Sequence, residues 1–485
     1  MSPFIILSVI VAYLAVMAIL SWHAGRGAGN EGFFIGNRRN SWWVATLAMI
    51  GAAMSGVTFI SVPGSVSTDG FSYMQMVIGF TIGQMIVAFV LIPMFYQRGV
   101  ISLYEWLDSR FGIEAHKVGA WCFLVAKLIG AALKIYVVCI VLQLIVFDYF
   151  KLHFIFNIIL TMSFVWLFTR RGGVRSLIIT DVLQSLCLVA GIVVAIIFLC
   201  RELMLSPKMA IETIAQSPYS QMWFFANPMS DRYFWKMVAG GVLCLVAMTG
   251  LDQDMMQRNM SCRTQRDSQI NIILTAICQV VVILLFLALG VLLYLYAAKV
   301  NLGNVSGDNI FAAVAINGGL PMVVGIAFIL GLISSTYSAA GSALTSLTTS
   351  FTIDVMGALQ RYDDKRLASV RWWVHLAMAV VMTAMILLFF YLGEDSVINL
   401  VFKIAGYTYG PILGLFVFGM ISRRSLRGRY LPVVAVLSPI LSYLLQSAAA
   451  NHWGYHIGFE LLGYNALFTT FGLLLISYKQ ENETK

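Results

Sequence analysis

Charged side chains are scarce in this sequence of 485 residues. Asp, Glu, Lys and Arg make up 11% of it, against about 25% in a soluble domain, while 60% of the residues are hydrophobic and the mean hydropathy is +0.86. This composition excludes an ordinary water-soluble protein and indicates a chain embedded in membrane lipid. The net charge of +9 does not indicate nucleic-acid binding, because the basic residues lie mostly in short connections between apolar runs, as in the positive-inside pattern.

Residues for metal, redox or nucleophilic chemistry are also few. The seven Cys lie almost all within apolar segments and form no CxxC pair, so we interpret them as small hydrophobic residues and not as disulfides or zinc ligands. The six His are scattered, and neither GxSxG nor HExxH occurs. The sequence therefore does not predict an enzyme.

Long apolar runs dominate what remains. The run over 3–22 has no basic segment before it and no small-residue cleavage site, which predicts a retained helix and not a signal peptide. Twelve further runs are long enough to span a bilayer: 42–63, 71–96, 119–148, 152–169, 174–200, 235–256, 268–299, 321–357, 371–392, 396–420, 430–450 and 460–478. Together they predict an all-α polytopic membrane protein with thirteen transmembrane helices in a single transmembrane domain, 1–485.

The basic clusters predict the orientation of these helices. They fall on alternate connections, beginning with Arg26, Arg38 and Arg39 after the first helix. By the positive-inside pattern the N-terminus lies outside and the C-terminus in the cytoplasm. The longest hydrophilic connection, near 201–234, is then external.

One segment, 331–354, is rich in hydroxyl side chains, since eleven of its twenty-four residues are Ser or Thr. Five of them recur at intervals of three or four residues and so share one helix face: Ser335, Ser338, Ser342, Thr345 and Thr349. Neutral oxygen ligands suit a monovalent cation better than Ca²⁺, which usually takes several carboxylates. Taken alone, the stripe favours close helix packing over cation binding, because small polar residues commonly lie between membrane helices.

Charged residues inside the predicted helices mark candidate functional positions, because a charge in the membrane interior costs several kcal/mol. Asp181 is deep in its helix and has no basic residue beside it in sequence. Asp252 and Asp254 precede Arg258 by six and four residues, so interfacial salt bridges explain them as well as substrate contacts do.

Three lysines also lie within predicted spans. Lys127 and Lys134 are two turns apart on one face of a helix. Lys127 is close enough to the helix end to extend to the membrane interface, whereas Lys134 is deeper. Lys403 lies in the segment FKIAGYTYGP.

The apolar run at 42–63 contains a cluster of small residues, Gly51, Ala52, Ala53, Ser55 and Gly56. Such residues permit a broken helix whose freed carbonyl groups coordinate a cation. They are equally compatible with close helix packing.

Five segments in order carry a family resemblance: WWVATLAMIGAAMSGVTFI, ITDVLQ, GLDQDMMQR, the hydroxyl-rich helix ending in FTID, and AGYTYGPILGLF. The chain resembles the sodium/solute symporter family, which includes sodium-coupled sugar, proline, pantothenate and sialic acid carriers. The resemblance covers nearly the whole chain. It implies an extra N-terminal helix at 3–22, inverted five-helix repeats at 42–200 and 235–420, and two C-terminal helices at 430–478.

The resemblance also implies Na⁺ as the coupling ion, bound near the membrane midplane. Its main site would use the backbone carbonyls of Gly51, Met54 and Ser335 and the hydroxyl of Ser338. The family usually has a second hydroxyl where this chain has Ala339, so water or the Ala339 carbonyl would replace it. Some relatives bind a second Na⁺ through an aspartate and neighbouring hydroxyl groups, and the matching residues here are Asp181, Ser338 and Ser342.

Substrate contacts are implied less directly. Ser55 and Thr58 match positions that contact substrate in the sialic acid carriers, and Gln75 lies near another. Those carriers have a basic residue at a position that matches Ala131 here, so Lys127 or Lys134 would act from a neighbouring turn. A deep ammonium group favours a carboxylate-bearing solute such as a sugar acid or amino acid, and Asp252 is a further candidate contact.

These observations predict a sodium-coupled symporter of the plasma membrane, of the bacterial inner-membrane kind, with a small polar solute, sodium ions and lipid as its partners and no nucleic acid. A proton-coupled carrier is the alternative within transport, because Asp181 would then titrate instead of holding Na⁺. A membrane-embedded sensor is a further alternative, but the tail SYKQENETK contains no signalling domain.

Overall fold

The computed structural model describes residues 3–303, 305–392 and 404–479. Most of this part is helical, as predicted, because a backbone in lipid must satisfy its hydrogen bonds within each segment. Two strands of two residues, Ser425–Leu426 and Ser477–Tyr478, pair antiparallel beside the last helices. Lys403 lies outside the described residues.

The first half of the chain contains eleven described α-helices: Pro3–Ala24, Asn30–Ile35, Trp42–Ala53, Gly56–Gly64, Val66–Asp69, Tyr73–Ile86, Ile92–Arg98, Glu105–Phe111, Ile113–Leu142, Phe154–Thr169 and Val174–Glu202. The second half contains Pro207–Gln216, Phe234–Leu245, Gln253–Met260, Gln265–Lys299, Ile310–Asn317, Met322–Ser350, Ala358–Arg361, Asp364–Leu392, Gly410–Ile421, Leu431–Trp453 and Leu461–Ile476. Wider π-type turns at Val87–Leu91, Gln143–Phe147, Val246–Gly250 and Phe351–Val355 extend four of these helices.

The helix lengths agree with a polytopic membrane protein. Eight helices of the described chain are long and apolar enough to cross a membrane, or ten if each of two bent pairs is one span. Three shorter apolar helices, Phe154–Thr169, Gly410–Ile421 and Leu461–Ile476, lie within the other predicted spans. The predicted number of thirteen is therefore not confirmed, although each predicted span contains helix.

The bent pairs are the feature that positions the site. The first broken helix (Trp42–Ala53 and Gly56–Gly64) bends by 62° where Met54 and Ser55 are extended. The second broken helix (Phe234–Gly250 and Gln253–Met260) bends by 65°. Its break is absent from the sequence prediction, which has one continuous run at 235–256. The chain bends there because the extended Asp252 caps a new helix, accepting the backbone N–H of Asp254 at 2.8 Å.

Three long helices surround these breaks: the lysine helix (Ile113–Leu142), the aspartate helix (Val174–Glu202) and the serine helix (Met322–Ser350). The serine helix packs along the aspartate helix and also contacts the lysine helix and the first broken helix. Glycine allows this closeness, since an added Cβ at Gly191 would lie 2.8 Å from the Ala327 carbonyl oxygen. The breaks, the lysines and the hydroxyl stripe thus meet inside one bundle.

Candidate functional site

A cavity of about 310 Å³ lies between the two broken helices. Loop residues Asp231 and Arg232 line one end of it, and Lys127, Asp252 and Asp254 line the other. This volume falls at the lower end of the range of small-molecule sites, roughly 300–1,000 Å³. The cavity therefore suits a small solute.

The break in the first helix is electrically neutral. Within the described residues, no hydrogen bond reaches the carbonyl oxygens of Gly51 and Met54. The Ser55 side chain caps the following half-helix by accepting the backbone N–H of Thr58 at 3.3 Å. The role of these two carbonyl groups as cation ligands stays a prediction, with which their lack of hydrogen bonds is consistent.

Contacts on both sides hold this break against the predicted cation-binding elements. An added Cβ at Gly51 would lie 2.5 Å from the Ser185 hydroxyl and 3.2 Å from the Asp181 carbonyl oxygen. An added Cβ at Gly56 would lie 2.6 Å from the Thr336 hydroxyl and 3.6 Å from that of Ser335. The break is therefore held tightly between the aspartate helix and the serine helix.

The serine stripe and Asp181 are also brought together. The Ser338 hydroxyl donates to a carboxylate oxygen of Asp181 at 2.7 Å, and both residues are fully buried. The Ser335 hydroxyl donates within its own helix to the Leu332 carbonyl, which leaves the Ser335 backbone as the predicted ligand. Ala339 lines the cavity beside this set.

Two residues of the predicted second sodium site, Asp181 and Ser342, contact the positively charged side chain of Arg258. The guanidinium of Arg258 donates to Asp181 at 2.9 and 3.0 Å and also contacts the Ser342 hydroxyl. Arg258 is 2% exposed and Asp181 is 0% exposed, so this is a buried salt bridge. The sequence offers no basic neighbour to Asp181, but the fold supplies one from 77 residues away.

Arg258 and Lys127 share the acidic residues of the second break. Arg258 donates to the Asp254 carboxylate at 2.5 Å, and the Lys127 ammonium lies 2.7 Å from its other oxygen. Lys127 also lies 3.1 Å from Asp252. The salt bridges proposed from the sequence exist for Asp254 and Arg258, whereas Asp252 pairs with the lysine helix.

Further hydrogen bonds secure this charged end of the cavity. The Tyr409 hydroxyl donates to Asp252 at 2.6 Å, and the Tyr104 hydroxyl donates to the Leu251 carbonyl at 3.1 Å. The Gln253 side chain bonds the backbone at Ile101 and Leu103. The Asp252 oxygens are thus already occupied, which disfavours the predicted role of Asp252 as a direct substrate contact.

Lys134 differs from Lys127 although it lies on the same helix face. It lines the cavity and is partly buried. In the described part of the chain, its ammonium group has no hydrogen bond and no salt bridge. Holding an ammonium away from water requires compensation by an anion, a carbonyl group or trapped water.

The predicted substrate residues separate into two groups. Ser55 and Thr58 line the cavity together with both lysines. Gln75 is not among the lining residues, because its amide donates to the Arg232 carbonyl and accepts the Phe224 backbone N–H. This arrangement assigns Gln75 to anchoring the 201–234 connection.

Several residues of the site are missing from the sequence prediction. Arg258 entered it only as a salt-bridge partner at the interface, and Tyr409 only as part of a family segment. Gln84 and Gln279 also line the cavity. A search for amide side chains at mid-helix in apolar spans identifies both glutamines, but no sequence signal pairs them.

Comparisons with known proteins give a family match and several similar relatives. Residues 33–428 match the model of the sodium:solute symporter family. The human sodium/iodide cotransporter is 26% identical over 401 residues, covering 80% of this chain and 61% of that protein. The sodium/sialic acid symporter SiaT of Proteus mirabilis (strain HI4320) is 22% identical over 478 residues, covering 95% and 92%. A sodium-coupled monocarboxylate transporter 2 of Danio rerio is 24% identical over 410 residues, covering 81% and 63%. The chain thus spans only 61–64% of the length of the first three curated relatives.

Solved structures show the same fold. The substrate-bound outward-open state of a Na⁺-coupled sialic acid symporter superposes with a TM-score of 0.81 at 19% identity, over 98% of this chain and 99% of that one. MHP1, a nucleobase-cation-symport-1 family transporter, superposes with a TM-score of 0.60 at 13% identity, over 90% and 92%. The chain therefore shares the fold of these two structures.

Proposed function

Because this chain belongs to the sodium:solute symporter family, with sodium as its coupling ion, we propose that it imports a small solute carrying a carboxylate or another anionic group. The observation that carries the proposal is the Lys134 ammonium group, which lines the cavity and has no ion-pair partner within the described residues. An anionic solute would supply that partner.

The charges around the cavity support this assignment. Three carboxylates, Asp181, Asp252 and Asp254, are matched by the two cations Arg258 and Lys127 in one connected set of salt bridges. This set of salt bridges has a net charge of one negative unit. The positive charge of Lys134 balances it without a direct salt bridge in the described chain. A solute anion beside Lys134 and a sodium ion near the first break would together add no net charge to the site.

The names of the relatives point in the same direction. Iodide, monocarboxylates and sialic acid are anions at neutral pH, and transporters of all three are similar to this chain. We infer an organic acid rather than a halide, because the cavity also presents hydroxyl groups from Ser55 and Thr58. Hydroxyl groups fix the orientation of a polar organic solute.

For sodium we propose the main site predicted from the sequence, with Gly51, Met54, Ser335 and Ser338 as ligands and Ala339 beside them. Met54 and Ser55 form the same break, so one turn of backbone would bind the ion on one side and the solute on the other. A change in that backbone on sodium binding would alter the affinity for solute, and the reverse must also hold.

A second sodium at Asp181 and Ser342 stays a prediction. The Arg258 guanidinium contacts both side chains, so a sodium ion there would share its ligands with a fixed positive charge. We also retain the predicted orientation, with the cavity mouth at Asp231 and Arg232 facing outside and the charged end facing the cytoplasm.

Lys134→Met tests the proposal. In proteoliposomes with an inward sodium gradient, uptake of labelled organic acids should be lost, because the solute anion has no counter-charge. Sodium-dependent thermal stabilisation of the empty protein should remain, since the proposed sodium ligands lie on other helices. Lys134→Arg should retain part of the uptake because it keeps the charge.

Two results would overturn the proposal. Unchanged acid uptake by the Lys134→Met protein removes the role of this lysine. Wild-type uptake that is confined to neutral solutes removes the anionic class altogether. Replacing Na⁺ by K⁺ at fixed pH in the same vesicles checks the coupling ion.

A further inference from the structure

Two glutamine side chains meet on the cavity wall at the middle of their helices. Gln84 lies on the span Tyr73–Arg98, which begins with the helix Tyr73–Ile86, and Gln279 lies on Gln265–Lys299. The Gln84 amide N–H donates to the Gln279 amide oxygen at 3.0 Å. Both residues line the cavity and are buried. Polar groups at this depth in a membrane protein generally mark a pathway or a binding site.

The helical period explains why these amides face the cavity. On Tyr73–Ile86, the lining residues Tyr73, Phe80 and Gln84 are seven and four residues apart, which places them on one face. On Gln265–Lys299, the lining residues Thr275, Gln279 and Ile283 follow at intervals of four. The helical period therefore places each glutamine on the face of its helix that lines the cavity.

The hydrogen bonding of the pair is incomplete. The Gln84 amide oxygen is buried and has no partner in the described part of the chain. The oxygen and nitrogen of each amide can be exchanged in the assignment. If both amides are exchanged, Gln279 donates to Gln84, and the pair still has one amide oxygen and one –NH₂ group without a partner from the other glutamine. A buried amide oxygen without a partner is unfavourable.

Close helix packing does not account for this arrangement. The approach of the second broken helix is already permitted by glycine, since an added Cβ at Gly83 would lie 3.0 Å from the Leu245 Cβ. Apolar side chains at positions 84 and 279 would fill the same space without an unsatisfied oxygen. A role in binding explains why the amides are present on a wall that is otherwise largely apolar.

We propose that the Gln84–Gln279 amide pair is a second substrate subsite that binds a hydroxyl group of the solute. A hydroxyl donates one hydrogen bond and accepts others, so it satisfies the free amide oxygen and a free amide N–H together. Combined with the anion subsite at Lys134, on which this statement of solute class rests, the preferred solute is a hydroxylated organic acid. Plain carboxylic acids would leave the amide oxygen unsatisfied.

Matched acids test the subsite. Binding of hexanoate and gluconate, and of butanoate and its monohydroxy isomers, would be measured by thermal shift and by competition against uptake in sodium buffer. The wild-type protein should prefer hydroxylated members. Gln84→Met and Gln279→Met should each reduce that preference, on the order of tenfold or more, because the hydroxyl loses a buried partner.

Gln269→Met is the matched control. Gln269 lies on the same helix as Gln279, but its amide donates to the Ala88 carbonyl at 2.9 Å and it does not line the cavity. It should keep the wild-type preference for hydroxylated acids. Gln84→Asn, which shortens the side chain and retains the amide, provides a further variant if Gln84→Met does not fold.

The outcomes separate this inference from the proposed anion site. If Lys134→Met abolishes acid binding while both glutamine variants keep the hydroxyl preference, the subsite is wrong and the anion site stands. If acids do not bind but glucose binds in a Gln84-dependent manner, the subsite stands and the anion proposal fails. Equal binding of plain and hydroxylated acids by the wild-type protein overturns the subsite.

Discussion

The two broken helices have nearly the same bend, 62° and 65°, but opposite electrostatic character. The first breaks at Met54 and Ser55 among Gly, Ala and Ser residues and carries no charge. The second breaks at Asp252 and is fixed by Lys127, Arg258 and Tyr409. A helix break at membrane depth leaves backbone groups unsatisfied, and the two breaks resolve this in different ways.

The difference indicates a division of roles. The first break leaves the carbonyl groups of Gly51 and Met54 without a hydrogen bond within the described residues, as the proposed sodium site requires. The second break is occupied by permanent side-chain charges from three separate helices, so it connects those helices and closes one end of the cavity. Changes at the first break should therefore alter sodium dependence, whereas changes at the second should alter stability.

The largest effect is expected from Arg258→Met. This change removes the only cation within hydrogen-bonding distance of Asp181 in the described structure and one of two at Asp254. Breaking a buried pair leaves an uncompensated charge and costs about 3–5 kcal/mol, and here two carboxylates are affected. Unfolding of the detergent-purified protein should show a large loss of stability.

A matched double variant checks the cause. Adding Asp181→Asn to Arg258→Met should recover part of the lost stability, because the stranded charge is then neutral. The stability of Arg258→Lys should lie between those of the wild type and Arg258→Met. A lysine ammonium cannot donate through two nitrogens to Asp181 as the guanidinium does. A melting temperature of Arg258→Met close to that of the wild type would contradict the assignment of the second break as a charged clamp.

Lys127→Met should have a smaller effect, about 3 kcal/mol, the lower end of the range for a broken buried pair. Its side chain is 13% exposed, Asp254 keeps Arg258, and Asp252 keeps Tyr409. The same unfolding measurement on Lys134→Met provides the control, because Lys134 pairs with neither carboxylate. Equal destabilisation by the two lysine changes would show that the comparison between them is wrong.

Ser338→Ala should have the smallest effect on folding and a selective effect on sodium. It removes the hydroxyl proposed as a sodium ligand and one hydrogen bond to Asp181, which costs about 1.5–3 kcal/mol because the acceptor is charged. Uptake measured against sodium concentration should require more sodium for half activation. The control is Ser346→Ala, whose hydroxyl donates to the Ala343 carbonyl of its own helix.

If the sodium activation of Ser338→Ala matches that of the wild type, the main sodium site is misassigned. If Ser346→Ala shifts sodium activation equally, the effect comes from general helix packing and not from ligation. Either result would remove the contrast between a sodium-binding first break and a structural second break.

Much of the fold was predictable because it follows from local properties of the chain. Apolar runs of about twenty residues determine membrane helices, and the small residues at 51–56 permit the first break. The three- and four-residue spacing of the hydroxyl groups determines which face of the serine helix is polar. The second break was missed because the run at 235–256 is apolar almost throughout and only Asp252, near its end, initiates a new helix.

The sequence by itself determined the family, a helical membrane fold and the helix faces that carry polar side chains. Only the tertiary structure decided which charges pair: Arg258 with Asp181, Lys127 with Asp252 and Asp254, and Lys134 with none in the described chain. It also decided that Gln84 meets Gln279 across 195 residues. The physical reason is that helical periodicity fixes the face of a side chain, whereas its partner depends on how distant helices pack.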